Sequence, residues 1–215
     1  MDLEKAALCI LVAFVVGFIF GRVRAHSASR KIQNSGEALV ARVLRRNFHP
    51  PDFHLMNHIT LRMKDGTTQI DHILVSKFGV FVVETKKYNG WIFANANHKN
   101  WTQVFYRQKF KFQNPILQNK RHVRAVRELL DFLPPSAVKS VVVFTGNPEF
   151  KTEVPQGVYG LGDLVDHLAE LSEEELSLNR VQFCVGRLET ARLAISDQTD
   201  LEHLESLKRR HGSTT

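Results

Sequence analysis

Gln69-Ile70-Asp71-His72-Ile73-Leu74-Val75, then Ser76-Lys77-Phe78-Gly79, then Val80-Phe81-Val82-Val83-Glu84-Thr85-Lys86 is the stretch that decides the fold. Both outer runs are rich in β-branched residues, and the short glycine-containing segment between them predicts a β-hairpin. A two-residue loop at Lys77-Phe78 pairs Ser76 with Gly79, and a four-residue loop pairs Val75 with Val80. Either choice gives one register, with Asp71 directly opposite Glu84. Opposed residues have Cβ atoms roughly 4.5–5.5 Å apart. Two ionised carboxylates about 5 Å apart, at an effective dielectric of about 20, repel by roughly 3 kcal/mol, a large fraction of a domain's net stability. A cation belongs beside them, and strand alternation puts Lys86 on the face of Glu84, about 7 Å further on.

The face expected to carry Asp71 and Glu84 also carries Ile73, Val75, Val80 and Val82, while Ile70, Leu74, Phe81 and Val83 fall on the other. A sheet apolar on both sides is covered on both sides, which predicts an α/β fold. The acids and the lysine then cluster at one end of a buried sheet, where charges are costly unless they serve a site. Two carboxylates with an open side suit Mg²⁺ or Mn²⁺, hard ions that keep several waters and share phosphate oxygens. With Lys86 to orient a water or to stabilise charge on a phosphorane, phosphodiester hydrolysis is the chemistry these parts fit best.

Glu37 in a helical pattern, Asp71 on a strand and Glu84-Thr85-Lys86 on the next strand resemble the PD-(D/E)xK nuclease superfamily. More closely, Gly36-Glu37, Gln69 to Val75, Gly79 to Lys86, Gly90-Trp91-Ile92, Trp101 and Asn114-Pro115-Ile116-Leu117-Gln118 are similar to the nuclease-related domain, NERD. The resemblance covers roughly residues 36 to 145. It implies a restriction-endonuclease-like mixed sheet flanked by helices. By the same resemblance Asp71 and Glu84 are metal ligands, with the Thr85 carbonyl a third. Lys86 is the catalytic lysine, Glu37 an additional acid near the metal, and Gln118 a polar residue facing the site from the following helix. The residues leave alternatives. Asn34 with Glu37 is close to a capping box, so Glu37 has a purely structural reading. Gln118 has one too, as an exposed residue in a first helical turn, and His72 reads as a hydrogen-bonded core histidine.

The formal net charge is +7 and the sequence pI about 9.6. From Thr85 to Arg127 there is no acidic residue, and Lys87, Arg107, Lys109, Lys111, Lys120, Arg121 and Arg124 all fall in that run. Tyr88, Trp91, Phe93, Trp101, Phe105, Tyr106, Phe110 and Phe112 are interleaved with them. Cations that follow a backbone beside rings on which bases stack are the footprint of nucleic-acid binding, here DNA in preference to RNA. The alternative is that the rings are core and the lysines a solvated face.

Hydrophobic residues make up 43% and charged residues 24% of the chain, the composition of a globular domain with a real core. Its two cysteines, Cys9 and Cys184, provide neither a disulfide framework nor a zinc ribbon. A Walker A loop, an HExxH pair and a GxSxG elbow are missing from the sequence.

Ala6 to Phe20 has no charged residue and makes a helix of about 24 Å with its neighbours, somewhat short for a bilayer but able to span it with local thinning. Asp2, Glu4, Arg22 and Arg24 argue against a cleaved signal peptide. With Arg22, Arg24, Arg30 and Lys31 behind the span and Lys5 alone before it, the positive-inside rule predicts a single-pass anchor with the C-terminal domain in the cytoplasm, near anionic lipid.

The expected organisation is an anchor at 1–22, a basic tether at 23–33, a nuclease-like core at 34–146 and an acidic helical extension at 147–215. In the core, further strands are expected at Trp91 to Ala94, Trp101 to Tyr106 and Val138 to Thr145, with a helix at Ile116 to Phe132. In the extension Ser172 with Glu175 reads as a capping box opening a helix that runs past Cys184. Three functions fit: a membrane-tethered metal-dependent nuclease, a non-catalytic nucleic-acid-binding module on the same fold, and a membrane scaffold that meets lipid headgroups.

Overall fold

A computed structural model describes residues 34–194 and the isolated positions 199, 203 and 205. The expected anchor and tether lie outside the described residues. Among the described residues no helix is long and apolar enough to cross a membrane.

The hairpin forms in the expected register: Ser76 pairs with Gly79 and the ladder runs to His72↔Val83. Its strands are β2 (Gly66–Ser76) and β3 (Gly79–Lys87). Gly79 has φ 125°, a conformation that costs glycine little, and the Ser76 hydroxyl closes the turn on the Gly79 carbonyl at 3.2 Å. Strand β1 (Phe53–Met63) lies outside β2; β7 (Val138–Thr145) and β9 (Val158–Gly160) lie beyond β3. The sheet order is β1-β2-β3-β7-β9, antiparallel as far as β3 and parallel after it.

Apolar side chains cover both faces, as a continuous β-branched strand requires. On one face Ile73, Val75, Val80 and Val82 pack against helices α2 (Pro115–Leu129) and α4 (Leu178–Ala191). On the other, Leu74, Phe81 and Val83 pack against α1 (34–47) and α3 (Leu161–Ala169). Ile70 departs from strict alternation: it joins the cluster of Ile73 and Val75 instead of that of Leu74. The backbone irregularity responsible lies at Asp71.

A second mixed sheet, in place of an extension of the first, is built from β4 (Gly90–Phe93), β5 (Asn100–Phe105), β6 (Gln108–Gln113) and β8 (Pro148–Phe150), in the order β6-β5-β4-β8. Its inner face buries Ile92 and Trp101 against Val142, Phe144 and Val158. Two expectations for the C-terminal part are corrected here. Besides helices it contributes β8 and β9, one to each sheet. Ser172 and Glu175 do not open a helix, because Glu175 pairs with Lys139 and its amide donates to the Lys77 carbonyl; α4 starts later, capped by Ser177.

Gly36 sets how closely α1 approaches the end of the sheet. A Cβ on it would lie 2.9 Å from both the Lys87 Cβ and the Thr145 Oγ1. Gly36→Val is therefore expected to push α1 off β3 and β7 and to destabilise the protein by about 1–3 kcal/mol. Chemical denaturation checks this, and an unchanged midpoint would mean that α1 does not rely on that close contact.

Candidate active site

Along β2 both ladders skip Asp71. Toward β1 the pairs run Asn57↔His72 and then Ile59↔Ile70, with His58 between them at φ 52°. Toward β3 the ladder ends at His72↔Val83. At this break the Asp71 Oδ2 accepts the Thr85 backbone N–H at 2.7 Å. On its other side β3 stays paired with β7 as far as Lys87↔Thr145, so Glu84, Thr85 and Lys86 are held on a regular strand while Asp71 turns toward them.

Glu84 is 1% exposed and both of its carboxylate oxygens are engaged. Lys86 Nζ donates to Oε1 at 2.6 Å and to Gln118 Oε1 at 3.1 Å. His122 Nε2 stands 3.1 Å from Oε2, and its Nδ1 is 2.7 Å from the Thr68 hydroxyl. A carboxylate only accepts, so Nε2 carries the proton of that bond. Sequence reasoning missed His122 and Thr68. The available signal was helical spacing: His122 is four residues from Gln118, so a face that turns one toward Lys86 turns the other the same way.

Two asparagines fix α2 in this position. Asn114 accepts the Ile116 N–H at 2.9 Å as the helix cap, and its amide nitrogen donates to the carbonyls of Asn95, Ala96 and His98. Asn119, fully buried, donates to the carbonyls of Val82 and Val141 at 2.8 and 3.0 Å, tying the helix to β3 and β7.

Charge is unevenly tolerated here. Burial, then the charges of Glu84 and Glu37, push Asp71 well above the usual carboxylate range, with the Thr85 amide and Lys86 offsetting only part. Burial also pushes Glu84 up, but Lys86 and His122 outweigh it and hold it below its ordinary value. Burial works against the Lys86 ammonium, yet Glu84 and Asp71 raise it above the ordinary lysine value. Glu37, 8% exposed on α1, has its Oε2 3.6 Å from His58 Nδ1. The structure thus brings Asp71, Glu84, Lys86, Gln118 and Glu37 into one neighbourhood. His72 is not part of it: the ring is buried, its Nδ1 bonds to Asn57 Oδ1 at 2.7 Å, and burial lowers it to about 3.

The basic candidates divide into two sets. Arg121 forms a two-pronged pair with Asp65 at 2.6 and 2.9 Å, Lys87 bonds to Ser35 and Arg124 lies 3.7 Å from Glu128. Arg107, Lys109, Lys111 and Lys120 are exposed. The acid-free run in the sequence is therefore not acid-free in space, because β1 and β2 supply Asp65 from the turn between them.

The family model described as nuclease-related domain matches residues 32–145, more than half of the chain's 215 residues. The chain belongs to the NERD family. The family name ties it to nuclease-related function and implies the PD-(D/E)xK superfamily. An uncharacterized protein of Bacillus anthracis is 43% identical to this NERD protein over 98 residues, which are 45% of this chain and 46% of that protein. The match therefore spans less than half of the relative's length.

Asp71→Asn is expected to leave the metal-free NERD domain as stable as the parent or more so, since an amide oxygen still accepts the Thr85 N–H without the opposed charge. Asp71 has its folded pKa raised, so the stability it contributes is present below its unfolded value near 3.8 and is lost as pH rises through the raised folded value. The variant and the parent should match at the acid end and diverge above it, in favour of Asn, in thermal melts with EDTA. A less stable variant at neutral pH would contradict this charge balance. Conversely, His122→Ala strips a partner from a buried carboxylate oxygen and should cost about 1–3 kcal/mol in the same melts.

Proposed function

We propose that this NERD protein is a metal-dependent nuclease that hydrolyses phosphodiester bonds of nucleic acid, DNA in preference to RNA. The observation that carries the reading is Lys86, held between Glu84 and Gln118 beside three acids, Asp71, Glu84 and Glu37, of which Asp71 is raised by burial first and then by the charges of the other two. Among the described residues no three or more His, Cys, Asp or Glu side chains are arranged to hold a metal ion. Two carboxylates and a carbonyl are nevertheless what Mg²⁺ takes from a protein, so Asp71, Glu84 and the Thr85 carbonyl fit Mg²⁺ or Mn²⁺. The excess negative charge around Asp71 is the chemical reason for a cation there.

A divalent ion, when bound, polarises a phosphate and acidifies a water. The chain's own residues do the rest. Lys86 directs its ammonium at the charge that builds on the phosphorane oxygens, and Gln118 fixes where that ammonium sits. His122 holds the Glu84 carboxylate in one orientation, as outer partners of ligands do. Asp71 keeps its proton to higher pH than an ordinary carboxyl, so cation binding competes with that proton and strengthens as pH rises. Arg107, Lys109, Lys111 and Lys120 are the exposed cations available to a nucleic-acid backbone. The uncharged run from Ala6 to Phe20, followed by Arg22, Arg24, Arg30 and Lys31, supports a single-pass anchor that keeps the domain on the cytoplasmic side of a membrane and near anionic lipid.

One observation favours a nucleic-acid-binding module without turnover: both Glu84 oxygens are already taken by protein donors. Cleavage decides between the two. Full-length protein, with Mg²⁺, Mn²⁺ or EDTA, is incubated with labelled single-stranded DNA, duplex DNA and RNA, beside Asp71→Ala and Lys86→Ala. A nuclease cuts only with metal and loses about 100-fold or more of its rate in both variants. Binding without cutting under every metal would replace the catalytic reading by the binding module.

A further inference from the structure

The outer face of the four-stranded sheet is the surface least like an ordinary solvated one. Register places its residues in two rows. Trp91 on β4 pairs with Val104 on β5, which pairs with Lys109 on β6. Phe93 pairs with Thr102, which pairs with Lys111. The opposite face takes Ile92 and Trp101 into the core, so Trp91 and Phe93 point outward, 47% and 40% exposed. Beyond the rows, Tyr106 and Arg107 form the tip between β5 and β6 at φ 46° and 67°, with Tyr106 86% exposed. Such backbone angles are strained for bulky side chains, and the tip holds an aromatic ring and a guanidinium in them.

An antiparallel sheet with one open face normally shows polar residues there. Here the two rings stand on one strand about 7 Å apart, and the lysines about 10 Å to their side, two strands away. Glu149 is the one acid on these four strands; it is paired with Lys151, which lies over the Trp91 ring at 4.9 Å. The face therefore carries positive charge beside stacking surfaces. Bases inside a duplex are already stacked and cannot lie on a flat sheet, whereas those of an unpaired strand can. A lipid surface is the poorer fit, because the two rings sit in the middle of a sheet, level with Thr102 and the lysines, and not on a protruding apolar edge.

We propose that this face binds a single-stranded polynucleotide, with bases stacked on Trp91 and Phe93 and the backbone held by Lys109, Lys111 and Arg107. The proposal rests on the reading that the protein acts on nucleic acid, and it adds the strand form. Trp91 is also a built-in reporter, since the chain's other tryptophan, Trp101, is buried.

The test titrates full-length protein with oligo-dT, oligo-rU, a blunt duplex and phosphatidylserine vesicles. It follows tryptophan fluorescence and, in parallel, the anisotropy of labelled oligonucleotides. Unpaired strands should quench Trp91 and bind more tightly than the duplex. Trp91→Phe should lose the quenching and keep the affinity. Trp91→Ala and Phe93→Ala should each weaken binding roughly tenfold, and Lys109→Glu with Lys111→Glu should weaken it and flatten its salt dependence. Circular dichroism and Trp101 emission verify that each variant is folded. Unchanged single-strand affinity in the folded Ala variants overturns the proposal, as does quenching by vesicles alone. Metal-dependent cutting together with unchanged affinity in these variants would leave the nuclease standing and remove the platform. Affinity lost in them without cutting under any metal would do the reverse.

Discussion

Where the β2–β3 ladder ends, the Asp71 carboxylate takes the Thr85 amide at 2.7 Å, and the geometry of the site follows from that bond. A buried N–H must find an acceptor, and a sheet ordinarily supplies a carbonyl from the next strand. Here a carboxylate supplies it, which fixes a titratable oxygen against β3 with the reach of one side chain. The bond needs a break in the regular pairing of β2. Opposite it on β1, His58 takes φ 52°, and the β1–β2 ladder leaves out this one pair of residues between Asn57↔His72 and Ile59↔Ile70. A non-glycine residue in the left-handed region costs on the order of 1–2 kcal/mol. Backbone strain of that size persists where surrounding structure enforces it, and the pairs Asn57↔His72 and Ile59↔Ile70 on either side of His58 do so.

The charges gathered at this break are expensive for the fold. A buried ion pair such as Glu84 with Lys86 repays its desolvation only when every remaining lone pair and proton is satisfied. Glu84 meets that condition by spending one oxygen on Lys86 and the other on His122, while Gln118 takes a further proton of Lys86. Asp71 does not meet it, since Thr85 is its chief compensation and Glu84 and Glu37 oppose its charge. Well-packed apolar residues of similar volume would make a more stable strand end. The sheet thus balances one of its acids and leaves another poised to gain from a cation.

The sequence carried the register of this region because it depends on local chemistry. The Ser76 to Gly79 turn fixes the pairing of everything behind it, and β-branched alternation marks β3 as a strand covered on both faces. What escaped is non-local. The gap that leaves His58 and Asp71 out of the ladder involves two strands at once, and beyond it Ile70 joins the cluster of Ile73. Ser172 and Glu175 have the spacing of a capping box, but Lys139 on β7 claims the glutamate and the helix starts at Leu178, capped by Ser177. Strands β8 and β9, three residues each, are too short to stand out in an acidic stretch. His122 was hidden by its own ordinariness, one histidine in a helix rich in cations, until its partners gave both ring nitrogens a role.

Helix α2 joins the second sheet to the acidic site. Its cap, Asn114, follows the last residue of β6 and ties down the carbonyls of the loop between β4 and β5. Five residues later Asn119 is bolted to β3 and β7, and between and beyond them Gln118 and His122 reach Lys86 and Glu84. The second sheet and the acidic site are therefore referenced to one rigid turn and a half of helix, with all of its anchoring donors buried or partly buried. A strand seated on Trp91 and Phe93 would have its path relative to Lys86 set by this joint, and positioning of that kind lowers a barrier by removing freedom in advance. Under that reading the asparagines of α2, which touch no substrate, determine which phosphate of a bound strand meets the lysine.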